Sequence, residues 1–293
     1  MTTNGTQLVD FNSQAYSFPS NKIQKLRSAS KTPVILVACG SFSPVTNLHL
    51  RMFEMARDFI RFECTDDFEL VGGFFSPVGD AYLKSGLAQA IHRVRMVELA
   101  TNQSKWITCD NWEALHKEYQ PTAKVLDHFA HEINEARGGI EIEGSTERKP
   151  ARIALLAGAD LIETMSSPGV WAPEDLDHIL GEFGAFIVER AGTDTSAALK
   201  SLEKWRKNIW VIPQLVSNDI SSTKIRLFLR RDMSIRWLVP DLVERYIEEH
   251  GLFMHDDPNG PAPQDKEQSQ KDRDSPNPSP RPSPPRDVVP GKA

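Results

Sequence analysis

The sequence predicts an α/β protein built on a doubly wound parallel sheet and followed by a disordered C-terminal tail. Three observations carry this expectation. Short apolar, β-branched runs alternate with stretches whose apolar residues recur at three- and four-residue steps. The first such run ends in a glycine turn that opens a helix, and open sheets of this kind take ligands at the carboxyl ends of their strands, near a topological switch point. Finally, residues 256–293 hold ten of the chain's twenty prolines and no aromatic residue, a composition that cannot bury enough apolar surface to fold.

In order along the chain, residues 1–30 read as an irregular extension, with Phe11, Tyr16 and Phe18 as its anchors. The catalytic or binding domain spans 31–255. Its first strand starts at Val34 and stops before Gly40; being short, bounded and β-branched, it suits a strand covered on both faces. Further strands are expected at 68–75, 106–109, 153–157, 185–188 and 209–212, and helices at 48–62, 88–101, 123–136, 197–206 and 240–250. Residues 137–149, with Gly138, Gly139 and several charges, read as a surface insertion of variable order.

A chain of 293 residues, 40% hydrophobic, has room for a full core. Its net charge of -6 and pI near 5.8 argue against a general nucleic-acid binder, whereas a small anion needs only a local basic pocket. Cys39, Cys64 and Cys109 are odd in number and lack metal-ligand spacing, which favours reduced thiols in an intracellular compartment. The first 30 residues contain no apolar h-region, and no apolar stretch is long enough to span a membrane. The expectation is a soluble cytoplasmic or nuclear protein, not secreted, with neither membrane nor nucleic acid as partner.

Two stretches carry chemistry. Gly40 lets the backbone approach a ligand closely, and the helix after it offers free N–H groups and a dipole that favour an anion; His49 in its first turn can add a hydrogen bond or a positive charge. The spacing is neither the G-x-G-x-x-G fingerprint nor a G-x-x-x-x-G-K-[ST] loop. The second stretch, Asn218-Asp219-Ile220-Ser221-Ser222-Thr223-Lys224-Ile225-Arg226, follows the last strand and opens another helix. Lys224 and Arg226 place cations where a helix dipole alone prefers acids, so a negative group should compensate them. Hydroxyls, free N–H groups, an ammonium and a guanidinium together make a polyphosphate cradle.

Gly40-Ser41-Phe42-Ser43-Pro44-Val45-Thr46-Asn47-Leu48-His49 resembles the G-x-F-x-P-x-[HT]-x-x-H signature of the adenylyltransferase superfamily, and Ile220 to Arg226 resembles its I-S-S-T-K-I-R signature. Ser76-Pro77-Val78-Gly79-Asp80-Ala81-Tyr82, Gly158-Ala159-Asp160-Leu161 and Leu238-Val239-Pro240-Asp241-Leu242-Val243 narrow the resemblance to the eukaryotic nicotinamide/nicotinic acid mononucleotide adenylyltransferases, from about Pro33 to Phe253. The resemblance implies a Rossmann-like nucleotidyltransferase fold. It also implies adenylyl transfer from ATP to nicotinamide mononucleotide (NMN) or nicotinic acid mononucleotide, giving NAD or its deamido form and pyrophosphate.

By the same resemblance His49, Lys84 and Arg226 form the catalytic set. ATP would be held by Gly40, Ser41, Phe42, Thr46, His49, Lys84, Ser222, Thr223, Lys224, Ile225 and Arg226. The NMN or NAD positions would be Gly40, Ser41, Tyr119, Thr122, Gly158, Asp160, Val170 and Trp171, with Arg190 and Asn218 on the adenosine side. A flat aromatic wall suits a pyridinium ring. Departures from the family are Tyr119, commonly tryptophan, and Leu83 and Ser85 beside Lys84, where the family has a denser lysine run. Mg²⁺ is expected with ATP, on phosphate oxygens and water, and no protein metal site is expected. Oligomeric state is left open. So are two other readings: an adenylyltransferase for another phosphorylated acceptor, and a non-catalytic nucleotide-binding or chaperone-like protein of the same fold.

Overall fold

The computed structural model describes residues 16–64, 67–190 and 195–254; Phe11 and the tail expected over 256–293 lie outside the described residues. In chain order the first half comprises β1 (Thr32–Gly40), α1 (Asn47–Glu63), β2 (Phe68–Pro77), α2 (Ala90–Thr101), β3 (Ile107–Cys109), α3 (Trp112–Leu115), α4 (Thr122–Ala130), β4 (Ile140–Glu141) and β5 (Arg148–Lys149). The second half comprises β6 (Arg152–Gly158), α5 (Ala159–Ser166), α6 (Pro173–Leu176), β7 (Ala185–Val188), α7 (Thr195–Ser201), β8 (Ile209–Ile212), α8 (Ser222–Arg230) and α9 (Asp241–His250). Six strands pair in parallel in the order β3-β2-β1-β6-β7-β8. The order reverses between β1 and β6, which sets the switch point there.

Both faces of the sheet are covered, as a parallel sheet requires. Along β1, Ile35 and Val37 pack into one cluster with Leu126, Phe129, Ile162 and Ile179. Val34 and Leu36 pack into another with Phe53, Ala56, Val243 and Ile247. Each such side chain contributes about 1.5–3 kcal/mol relative to exposure. Helix α1 buries Phe53, Ala56 and Ile60 on one face. It lies so close to β2 that a Cβ at Gly73 would stand 2.8 Å from the Phe53 ring and 2.9 Å from Trp106, closer than real Cβ contacts come. Gly73 is therefore a packing glycine, and any side chain there would push α1 off the sheet.

The structure corrects three expectations. Residues 137–149 do not form an insertion of variable order: β4 and β5 pair antiparallel, Ile140 is buried, and Leu26 bridges to Ile142. The charges at 141–149 had masked a short hairpin anchored by the buried Ile140. The helix expected over 197–206 ends at Ser201 and gives way to a 3₁₀ segment, Glu203–Asn208. The helix expected over 123–136 is α-helical only to Ala130 and continues with π geometry over His131–Glu135.

Within the extension 1–30, the described part is tied to the domain. Tyr16 meets His128 at 2.8 Å, Phe18 is buried against Phe74 and Phe129, and Leu26 is fully buried. Lys22 donates to the carbonyls of Thr101 and Ile107, capping the end of α2 with a cation.

Candidate active site

The turn after β1 is shaped by phenylalanine more than by glycine. Gly40 closes the strand, but Phe42 takes the left-handed conformation, φ 46°, which costs an ordinary side chain strain. Packing over-determines it: the Phe42 ring is buried edge to face on Phe75 at 4.9 Å and on His49 at 5.3 Å. Ser43 and Thr46 are wholly buried behind it.

Thr46 caps α1. Its hydroxyl accepts the His49 backbone N–H at 3.4 Å, while its own backbone N–H donates to His49 Nδ1 at 2.9 Å. This reciprocal pair satisfies two donors of the helix start and fixes the ring chemistry. Because Nδ1 accepts from a backbone amide, the imidazole proton sits on Nε2, which becomes the donor. Burial lowers the His49 pKa to about 4, so the ring is neutral at pH 7. The Thr46 N–H on Nδ1 leaves Nε2–H as the ring's free donor.

The second stretch docks on this turn. Ser221 caps α8 by accepting the Lys224 N–H at 3.3 Å. The Ser222 hydroxyl donates to the Pro44 carbonyl at 2.9 Å, and the buried Arg226 guanidinium donates to the Ser43 carbonyl at 2.8 Å and to the Thr223 hydroxyl at 3.4 Å. Ile225 packs beneath in the core. Of the negative partners expected for Lys224 and Arg226, the chain itself supplies one, for Lys224. Lys224 pairs with the Asp219 carboxylate, and Arg226 takes carbonyl and hydroxyl oxygens. Burial, then the charge of Arg230, holds the Arg226 pKa below its ordinary value.

Lys84 approaches from the loop between β2 and α2. Burial lowers its pKa, and so does the charge of Arg226; two cations within range of each other favour an anion between them. Gly86, at φ +74°, runs beside Arg226: a Cβ there would lie 3.5 Å from its Nε. The loop is held by a residue the sequence reading missed. Arg93, fully buried on α2, donates to the carbonyls of Ala88 at 2.8 Å and Ser41 at 3.2 Å and pairs with Asp80 at 3.3 Å. Only tertiary packing reveals it, because one arginine within a helical pattern reads as a solvated face.

At the other end Tyr119 is exposed and stacks on Tyr82, ring centroids 5.9 Å apart. Thr122 opens α4, and Trp171 donates its indole N–H to Thr164 at 3.2 Å, just after Val170. Among the described residues no ring pair joins Trp171 to Tyr119. Gly158 is the N-cap of α5 and Asp160 stands in its first turn. Asp160 accepts from Arg190 at 3.1 Å, and Arg190 also donates to the Asp219 carbonyl at 3.4 Å. The Asn218 side chain accepts the Ile220 N–H at 3.0 Å, a local turn. Asp160, Arg190, Asp219 and Lys224 thus form one exposed chain of charges across the strand ends. Asp219 also escaped the sequence reading, since nothing local distinguishes it from a turn residue.

A sequence model of the cytidylyltransferase-like family matches residues 37–228. The chain is 54% identical to nicotinamide/nicotinic acid mononucleotide adenylyltransferase 2 of Saccharomyces cerevisiae over 82% of its own length, and spans 61% of the length of that relative. It is 54% identical to the Schizosaccharomyces pombe nicotinamide/nicotinic acid mononucleotide adenylyltransferase, over 83% of this chain and 67% of that one. With nicotinamide/nicotinic acid mononucleotide adenylyltransferase 1 of Bos taurus it shares 42% identity over 78% of this chain and 91% of the relative. A solved Plasmodium falciparum nicotinic acid mononucleotide adenylyltransferase complexed with NaAD has the same fold, with TM-score 0.54 at 23% identity, covering 75% of this chain and 97% of that one.

Proposed function

We propose that this chain, which belongs to the nicotinamide/nicotinic acid mononucleotide adenylyltransferase branch of the cytidylyltransferase-like family, transfers the adenylyl group of ATP to NMN or to nicotinic acid mononucleotide. One observation carries the reading. Two stretches far apart in sequence meet at a single turn, Arg226 on Ser43 and Ser222 on Pro44, so that the hydroxyls and cations of the second stretch stand against the turn that leads to His49.

In the reaction an oxygen of the acceptor's 5′-phosphate attacks the α-phosphorus of ATP. A new P–O bond forms, the bond from the α-phosphorus to the bridging oxygen breaks, and that oxygen leaves with the electron pair as part of pyrophosphate. A phosphate monoester with its second pKa near 6 is largely ionised at neutral pH, so no protein base is needed. The chain's task is positioning and charge neutralisation. His49 Nε2–H donates a directed hydrogen bond to the α/β-phosphate region. Arg226 and Lys84 meet the β- and γ-phosphates and then the leaving pyrophosphate, with Ser222 and Thr223 as hydroxyl donors. Lys224 joins them by exchanging Asp219 for phosphate.

Tyr119, Trp171 and Val170 wall the pyridine end, with Thr122, Gly158 and Asp160 offering polar groups. Arg190 and Asn218 flank the adenosine. Among the described residues no three His, Cys, Asp or Glu side chains are grouped to hold a metal ion. In this reading Mg²⁺ would come with ATP, on phosphate oxygens and water, and would offset part of the negative charge of the triphosphate. Three free thiols, Cys39, Cys64 and Cys109, fit cytoplasmic or nuclear residence.

The test is direct: purified protein, ATP and Mg²⁺ with NMN or nicotinic acid mononucleotide, with dinucleotide and pyrophosphate followed by chromatography. Equimolar formation of both products is expected. Absence of dinucleotide with either acceptor would sink the proposal.

A further inference from the structure

Resting on that reading, we propose that Arg93 is a positioning residue for adenylyl transfer: by holding the Ser41 carbonyl it aims the Phe42 N–H at the triphosphate and keeps Phe42 in the conformation that packs against His49. Arg93 stands near the start of α2 and is fully buried. Each nitrogen of its fork has its own partner. Nε donates to the Ala88 carbonyl at 2.8 Å, Nη1 to the Ser41 carbonyl at 3.2 Å and Nη2 to the Asp80 carboxylate at 3.3 Å. A guanidinium stays protonated in proteins, and a charge held in the interior adds little net stability. What this one supplies is direction, because it is aimed at backbone oxygens of the turn and of the loop assigned to ATP.

The Ser41 bond matters because of the peptide it belongs to. The Ser41–Phe42 bond is trans, so its carbonyl and its N–H point to opposite sides. With the carbonyl drawn toward Arg93, the Phe42 N–H faces away, and no backbone oxygen among the described residues accepts it. Phe42 is only 5% exposed, and a backbone donor so placed needs an acceptor; an oxygen of the bound nucleotide supplies one. The same peptide plane sets the φ of Phe42, 46°. A strained φ persists only where its surroundings fix it. Arg93 fixes the plane before Phe42, and Arg226 holds the Ser43 carbonyl after it at 2.8 Å. Two buried guanidinium groups thus grip the turn on either side of Phe42, whose ring meets that of His49 edge to face at 5.3 Å.

The other bonds of Arg93 set the loop that carries Lys84. Asp80 and Ala88 flank Lys84 in sequence, and Arg93 holds both. The Ala88 N–H also donates to the hydroxyl of the wholly buried Ser43 at 3.0 Å, and the Val78 N–H donates to the Gly40 carbonyl at 3.0 Å. Both ends of the loop are therefore sewn to the turn after β1. Removing the fork releases the tie on the Ser41 carbonyl, whereas Lys84, Lys224 and Arg226 keep their charges. Attraction of ATP in the ground state is retained and the alignment needed at the transition state is lost. The effect falls on kcat rather than on KM.

The experiment compares the full-length chain with Arg93→Lys and Asp80→Asn, by steady-state kinetics with ATP and NMN and by following the Phe42 amide resonance as ATP is added. Arg93→Lys keeps the charge and loses the fork. Its kcat is expected to fall on the order of 100-fold while KM for ATP stays within about threefold, and the shift that ATP causes at the Phe42 amide should shrink to about half or less. Asp80→Asn leaves the Ser41 and Ala88 bonds in place and removes the charge partner, so it should lower the denaturant midpoint and leave kcat within about threefold. A merely structural arginine would give both variants the same profile. A kcat loss under about threefold in Arg93→Lys, an equal loss in Asp80→Asn, or a Phe42 amide that ATP does not move in the unmutated chain would overturn the proposal. If Arg93→Lys does not fold, Arg93→Gln, which keeps an N–H donor and removes the buried charge, takes its place with the same expectations. If the unmutated chain forms no dinucleotide at all, adenylyl transfer fails as a reading, and the Phe42 amide in ATP titrations of the unmutated chain and the arginine variant still decides the role of Arg93.

Discussion

Arg226 and Ser43 stand 183 residues apart in sequence, and the guanidinium of one donates to the carbonyl of the other at 2.8 Å. The fork shape of the group matters here. One nitrogen holds the turn and the other reaches the Thr223 hydroxyl; in the proposed reaction phosphate meets the remaining edge. Lysine keeps the charge and loses the fork. Arg226→Lys should lower kcat/KM for ATP by roughly 100-fold, about 2.7 kcal/mol of transition-state stabilisation. Steady-state kinetics with ATP varied would show it, and a loss under threefold would contradict the assignment.

His49→Ala should reduce kcat by two orders of magnitude or more, in line with the loss of one preorganised donor to developing charge. It should also cost about 1 kcal/mol of stability, because the ring accepts the Thr46 N–H and completes the cap of α1. Denaturant midpoints alongside single-turnover rates separate the two effects. Full turnover in this variant would remove His49 from the mechanism.

The Asp219 carboxylate pairs with Lys224, and in the proposed reaction it competes with phosphate for that ammonium. In Asp219→Asn the ammonium is released, and KM for ATP is expected to fall two- to threefold, roughly the scale of an exposed pair. The gain should shrink as salt is raised from 20 to 500 mM, since exposed charges are screened. An unchanged KM at low salt would mean that Lys224 does not meet ATP.

Acid should weaken the fold through partly buried imidazoles. Burial lowers the folded-state pKa of His49 to about 4, and burial followed by the nearby His250 lowers that of His92. In both cases the unfolded chain binds more protons in that range, so stability is intact above about pH 6.5 and declines as pH falls toward 4. For His49 the loss is up to about 3 kcal/mol. Urea midpoints at pH 7, 5.5 and 4 should follow this course, and His49→Gln should flatten part of it. A midpoint independent of pH would refute the burial argument.

The sheet and the two stretches that meet at the turn after β1 were legible because their signals are local. A β-branched run, a glycine, a capping residue and a cation in a first turn act within a few residues of one another. The chain of β1, Phe42, Thr46 and His49 is such a case, as is Ser221 with Lys224. What stayed hidden depends on neighbours distant in sequence. Arg93 and Glu113 look like solvated helix residues until packing buries them, and Tyr82 becomes notable only when Tyr119 stacks on it. The hairpin of β4 and β5 was concealed by its charges and is completed by Leu26, more than a hundred residues earlier. Even at a legible position, the choice between a charged and a neutral His49 required knowing how deeply the ring is buried.

Leu26 and Phe18, packed into the core on one face of the sheet by a stretch that reads as an irregular extension, make the boundary of the folding unit a practical matter. Trimming the gene at the first strand would strip a clasp from the back of the molecule and bare a greasy seam beside Phe74 and Phe129. Purification tags and shortened versions are therefore best placed upstream of Tyr16, where Tyr16 itself still reaches His128.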